Sequence, residues 1–138
     1  MERDVALTML KNCAQFRGVK KTELHTLLSS ATRTHFAANE TIYTKGEPSN
    51  DKFGMIISGS VKVVKGDGSV LRLVGNSQVI GEIAVSESQH QARTVTMIAT
   101  EPTEVMEWYV SFIKEKLPKV WKNLQQLAGA HLSNFYES

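Results

Sequence analysis

The chain has 138 residues, 41% of them hydrophobic and 22% charged, a composition that fits one globular core and argues against a disordered segment. Its net charge of +2 is too small to mark a nucleic-acid-binding face, and no apolar run approaches the roughly 20 residues that cross a bilayer. The charged start Met1-Glu2-Arg3-Asp4 lacks the apolar stretch of a secretory signal, so a cytoplasmic location is expected.

Helical periodicity comes first along the chain. Val5, Leu7, Leu10, Cys13 and Phe16 form an approximate stripe that stops at Gly18, and Thr22 opens a second short helix with Leu24, Leu27 and Leu28 on one side. From residue 32 the pattern turns to short β-prone runs between turn residues. Strands are predicted over 32–36, 41–44, 53–58, 60–65, 70–74, 93–100 and 103–109. Residues 45–51, Lys-Gly-Glu-Pro-Ser-Asn-Asp, read as a turn, and Lys65-Gly66-Asp67-Gly68 reads as a hairpin. Ser111 can cap a short helix that Pro118 interrupts. A longer helix is predicted over 119–136, with Val120, Leu124, Leu127, His131 and Phe135 near helical spacing and Trp121, Ala128 and Leu132 widening the face.

Six to eight short strands with tight turns predict a mainly β fold with flanking helices, a jelly-roll β-barrel. The expected organisation is a single domain, helical over 1–30, β-barrel over 31–110 and helical again over 111–138.

Between two of the strands lies Gly81-Glu82-Ile83-Ala84, followed after a polar loop by Ala92-Arg93-Thr94. A glycine lets the backbone approach a ligand closely, and the first N–H groups of a following helical turn point outward as donors to an anion. Arg93 adds a planar fork that matches two phosphate oxygens. Glu82 would repel a phosphate, so its natural partner is a neutral donor such as a sugar hydroxyl. One acceptor and one cation together imply a ligand with both hydroxyl and phosphate.

Other chemistries find little support. Cys13 is the single cysteine, which excludes an internal disulfide and a cysteine-held metal within one chain. His25, His35, His90 and His131 are scattered with no HxH or HExxH pattern, so neither a metal nor another cofactor is expected. No Ser-His-Asp or nucleophile–base pattern stands out, so the chain reads as a sensor and not an enzyme.

The whole pattern resembles the cyclic nucleotide-binding domain shared by kinase regulatory subunits, nucleotide-gated channels and catabolite-activator-type sensors. The resemblance runs through Lys45-Gly46-Glu47-Pro48, residues 55–61 (Met-Ile-Ile-Ser-Gly-Ser-Val), Gly81-Glu82-Ile83-Ala84-Val85, Ala92-Arg93-Thr94 and the closing helix. It implies that the turn is a phosphate-binding cassette, with Glu82 accepting from the ribose 2′-hydroxyl and Arg93 pairing with the cyclic phosphate. Gly81, Ile83 and Ala84 would present backbone groups, Thr94 a hydroxyl or its N–H, and Val74, Ile80 and Val95 apolar walls for the base. The sequence departs from the family in three places: Gln91-Ala92 stand before Arg93 where a proline is common, residues 86–91 form a longer loop, and Gly75 stands further from Gly81 than the Gly-Asp-x-x-Gly spacing.

The implied ligand is cAMP, ahead of cGMP. The last helix would close over the base as a lid, with Lys122, Gln125, Gln126 and His131 as candidate contacts, and would pass the signal to an effector domain of a longer chain or to a second copy in a homodimer. The competing expectation is a module of the same fold that has lost its nucleotide and serves in dimerisation or docking.

Overall fold

The computed structural model describes residues 2–82 and 92–131. The order is α1 (Glu2–Asn12), a 3-10 turn (Ala14–Phe16), α2 (Lys21–Ser30), eight strands, α3 (Val110–Lys116) and α4 (Pro118–His131). The strands are β1 (Thr32–Phe36), β2 (Thr41–Tyr43), β3 (Lys52–Ser58), β4 (Val61–Val64), β5 (Val70–Val74), β6 (Val79–Ile80), β7 (Thr96–Ala99) and β8 (Thr103–Tyr109). They make two four-stranded antiparallel sheets, ordered β1-β8-β3-β6 and β2-β7-β4-β5. This is the expected jelly roll in the form of a sandwich. Among the described residues the two sheets do not close into one continuous barrel.

The first sheet is covered on both sides, and side-chain alternation shows how. Successive residues of a strand point to opposite faces. Along β3, Phe53, Met55 and Ile57 join Met106 and Trp108 of β8 and Val79 of β6 in a core shared with the helices. The intervening Ile56, with Val105 and Ile80, faces the second sheet and packs on Val61, Val63, Val74 and Met97. Helices, first sheet and second sheet therefore form three layers. A strand buried on both faces needs an almost unbroken apolar run, and Phe53-Gly54-Met55-Ile56-Ile57 is buried throughout.

Trp108 ties the helical layer to the sheet. Its ring lies edge-on to Phe16 with centroids 5.6 Å apart and offset-stacked on Phe53 at 5.5 Å, while its indole N–H donates to the Leu27 carbonyl at 2.8 Å. From the other end of the chain, Ile113, Leu117, Val120 and Leu124 enter the same core. Pro118 opens α4, where its missing N–H would have no intrahelical partner. Ser111 does not cap α3. The helix starts one residue earlier at Val110, and both the N–H and the hydroxyl of Ser111 donate to Oδ2 of Asp51, at 3.1 and 2.7 Å. The expected continuation of α4 past His131 lies outside the described residues.

Candidate functional site

The two-residue strand β6 carries the chain into the site. Val79 is buried in the helical layer and Ile80 in the sandwich core, and pairing of Gly54 with Ile80 and Met55 with Val79 fixes both. Gly81 follows immediately with φ +70, a conformation that glycine adopts without strain. Four residues earlier Ser77 is also left-handed, φ +66. The spacing from that residue to Gly81 is that of Gly-Asp-x-x-Gly with a serine in the first position, so Gly75 is not the residue that sets it.

Arg93 reaches this turn from the far side of a loop. Its backbone is clamped by the 45–48 turn: the Gly46 N–H donates to the Arg93 carbonyl at 2.9 Å, and the Arg93 N–H donates to the Glu47 carbonyl at 2.8 Å. Pro48 and Ala92 form an isolated antiparallel bridge beside them. The guanidinium lies over the Tyr43 ring, with Cζ 3.7 Å from the centroid, and Nη2 donates to the Ser49 carbonyl at 3.1 Å. It also lies against Gly81. A Cβ built on that glycine would stand 2.6 Å from Nη1 of Arg93 and 3.0 Å from Cε2 of Tyr43, so the absent side chain is what admits the arginine. Stacking uses the face of the guanidinium and leaves its N–H groups in the plane, where an anion would meet them.

The platform is itself held. The Tyr43 hydroxyl donates to Oε2 of Glu107 at 2.6 Å. Burial pushes the Tyr43 phenol well above its ordinary range, and the Glu107 carboxylate adds to the shift, so the ring remains a neutral donor.

Glu82 is fully buried, which for a carboxylate is costly without a partner. Nη2 of Arg72, from the middle of β5, stands 3.4 Å from its Oε1. Thr94 is half-buried beside Arg93. Val74, Ile80 and Val95 pack together in the sandwich core with exposures of 2%, 0% and 7%, so in this state they support the turn from below and present almost no surface to a base. Ile83 and Ala84 fall outside the described residues, as does the rest of the 83–91 segment with the loop that leads to Arg93. A cavity of about 270 Å³ opens beside Arg72, bounded by Gln15, Ser77 and Gln78 and on its α4 side by Leu127. Gln126 and Arg17 border a second hollow further along α4. Lys122 is exposed and Gln125 half-exposed on that helix.

Sequence reasoning missed Tyr43, Ser49 and Arg72. Arg72 carried a signal, since it is the single cation in the aliphatic run Val-Leu-Arg-Leu-Val. Tyr43 carried less, and Ser49 none, because it contributes a backbone carbonyl.

Fold and turn together are those of a β-sandwich binding domain, with helices on one side and a cationic turn between strands. The chain belongs to the cyclic nucleotide-binding domain family, whose model it matches over residues 33–117. In structure it is similar to the regulatory subunit of a cAMP-independent protein kinase A from Trypanosoma brucei, at 20% identity and a TM-score of 0.82 over 98% of this chain and 48% of that one. It is also similar to the regulatory domain of Toxoplasma gondii protein kinase A solved with cAMP, at 16% identity and 0.73 over 96% and 48%. A third likeness is to the Thermus thermophilus catabolite activator protein, at 24% identity and 0.72 over 86% and 58%. At these identities the likeness is one of fold, and the chain spans only 48% to 58% of those three chains. No curated protein matches the sequence.

Proposed function

We propose that this chain is a regulatory sensor domain that binds a cyclic nucleotide, cAMP ahead of cGMP, and transmits binding through α4. The observation that carries the reading is the seating of the Arg93 guanidinium against Gly81, with its backbone clamped on both sides and its face on Tyr43. In this reading Arg93 meets the cyclic phosphate, Glu82 takes the ribose 2′-hydroxyl, and the backbone of Gly81, Ile83 and Ala84, together with Thr94, completes the cradle. The cAMP-bound Toxoplasma domain supports cAMP as the ligand to try first.

The position of α4 supports the transmission part of this reading. Its Leu127 bounds the cavity beside Arg72, so a ligand that fills this side of the sheet changes what α4 packs on. The shift is limited by the difference in affinity between the two helix positions, about 1–3 kcal/mol in a typical coupled system.

A second reading has an observation in its favour. Glu82 already pairs with Arg72, and Arg93 already engages Tyr43 and Ser49, so the charges of the site are partly satisfied within the protein. A module that has lost its nucleotide and serves in docking or dimerisation would have this property. Isothermal calorimetry with cAMP and with cGMP separates the two. The sensor reading expects heat of binding with at least one, and Arg93→Ala is expected to weaken it by about tenfold or more through loss of a charge-assisted pair. Absence of heat with both at high micromolar ligand sinks the sensor reading. Unchanged affinity in Arg93→Ala removes Arg93 from the site.

A further inference from the structure

Building on the cyclic nucleotide reading, we infer that Arg72 is a positioning residue for the ligand: it holds the buried Glu82 carboxylate charged and aimed so that it can accept the ribose 2′-hydroxyl. Nothing in the family resemblance assigns Arg72 a role. The strand that carries it is otherwise valine and leucine, and a cation there needs a reason. Its side chain is 17% exposed and that of Glu82 is 0% exposed, so the pair lies largely out of water.

Burial and length distinguish this pair from an ion pair on the outer side of the first sheet. There Arg33 and Glu104 meet at 2.7 Å, the length of a charge-assisted hydrogen bond. Arg72 and Glu82 stand 3.4 Å apart. At that separation the Coulomb attraction still offsets much of the cost of burying the carboxylate. An ionised carboxylate has about four lone-pair sites on its two oxygens, so a hydroxyl donor can share Glu82 without displacing Arg72. The tyrosine-stacked Arg93 is engaged elsewhere, at Ser49 and against Gly81, which divides the labour: Arg93 for the phosphate, and Arg72 for the group that reads the sugar.

The test pairs a protein change with a ligand change. Calorimetry would be run on the wild type, Arg72→Gln and Arg72→Lys, each with cAMP and with 2′-deoxy-cAMP, after thermal melts establish that the variants fold. Arg72→Gln is expected to weaken cAMP about tenfold and 2′-deoxy-cAMP less than about twofold, because protein and ligand changes remove the same interaction. Arg72→Lys, a point charge without the planar fork, is expected to recover part of the cAMP affinity and to leave 2′-deoxy-cAMP unchanged. Equal losses on the two ligands overturn the inference, since Arg72 then acts by general support or by touching another part of the ligand. Unaltered cAMP binding in Arg72→Gln overturns it as well. Should Arg72→Gln not fold, Arg72→Lys decides alone, and a loss on 2′-deoxy-cAMP as large as on cAMP counts against it. Failure of the wild type to bind cAMP, 2′-deoxy-cAMP or cGMP is a separate result, which overturns the cyclic nucleotide reading and this inference with it.

Discussion

The two ends of β6 belong to different kinds of interior. On one side Val79 enters a layer where the helices meet the first sheet through Leu10, Phe16, Leu27, Phe53, Trp108, Ile113 and Leu124, all buried, with the Trp108 indole donating to a backbone carbonyl. On the other, Gly81 and Glu82 enter a region where a carboxylate, two guanidinium groups and a phenol crowd within hydrogen-bonding or stacking distance. The first arrangement maximises apolar burial. The second retains desolvated charges that well-packed hydrophobic residues would replace at little cost, or with a gain, in stability. On the proposed reading, charges are kept at such a place for what they bind and not for what they stabilise.

The comparison breaks most visibly at Trp108. Removing a buried tryptophan that bridges two layers should cost about 3–5 kcal/mol. Trp108→Ala is accordingly expected to lower the urea midpoint severely, whereas Trp108→Phe should recover most of the packing and lose the bond to Leu27. If urea melts show Trp108→Ala within about 1 kcal/mol of the wild type, the helical layer is not the stabilising half of the molecule.

A smaller effect is expected at the turn, and its signature should be binding more than stability. Gly81→Ala places a methyl group 2.6 Å from Nη1 of Arg93 at a φ of +70. The left-handed conformation alone should cost about 1–2 kcal/mol. The arginine end is flexible and can move away, so the larger consequence is loss of its seat. Calorimetry should register a fall in cyclic nucleotide affinity of about tenfold beyond what the melt explains. Affinity equal to the wild type would mean that the ligand meets Arg93 in a position away from Gly81.

The same contrast governs what could be read from sequence. Strands 32–36, 70–74 and 103–109 were legible to the residue because runs of β-prone residues between turn residues are a local property. Strand β6 was not, since Val79-Ile80 is too short to display any period. The strand expected from residue 93 begins only at Thr96, because Arg93 spends its backbone groups on Gly46 and Glu47. Ser111 looked like a cap from its neighbours. Its partner is Asp51, brought there by the register of β3 with β8. At the site, Gly81, Glu82 and Arg93 were visible as a motif, and the structure places the glycine and the arginine side by side. Tyr43 and Arg72 depend on contacts between segments distant in sequence, which no local pattern encodes.

The smallest expected effect lies in the apolar layer and vanishes at neutral pH. Burial pushes the Cys13 thiol up to about 11 from an ordinary value of 9.0, outweighing the lowering by nearby backbone groups and Arg17. The folded state therefore favours the neutral thiol. The associated stability is fully present below pH 9 and is lost as pH rises toward 11, because the unfolded chain ionises first. At pH 10 the linkage amounts to about 1 kcal/mol. Cys13→Ala carries no such proton, so the stability gap between wild type and variant in urea melts should shift by about that amount in favour of the variant between pH 7.5 and pH 10. Tyr43, also raised by burial, weakens both proteins alike at alkaline pH and cancels in the difference. A gap that stays constant with pH would mean that Cys13 is solvated in the folded state, and that the layer around it is more open than its packing implies.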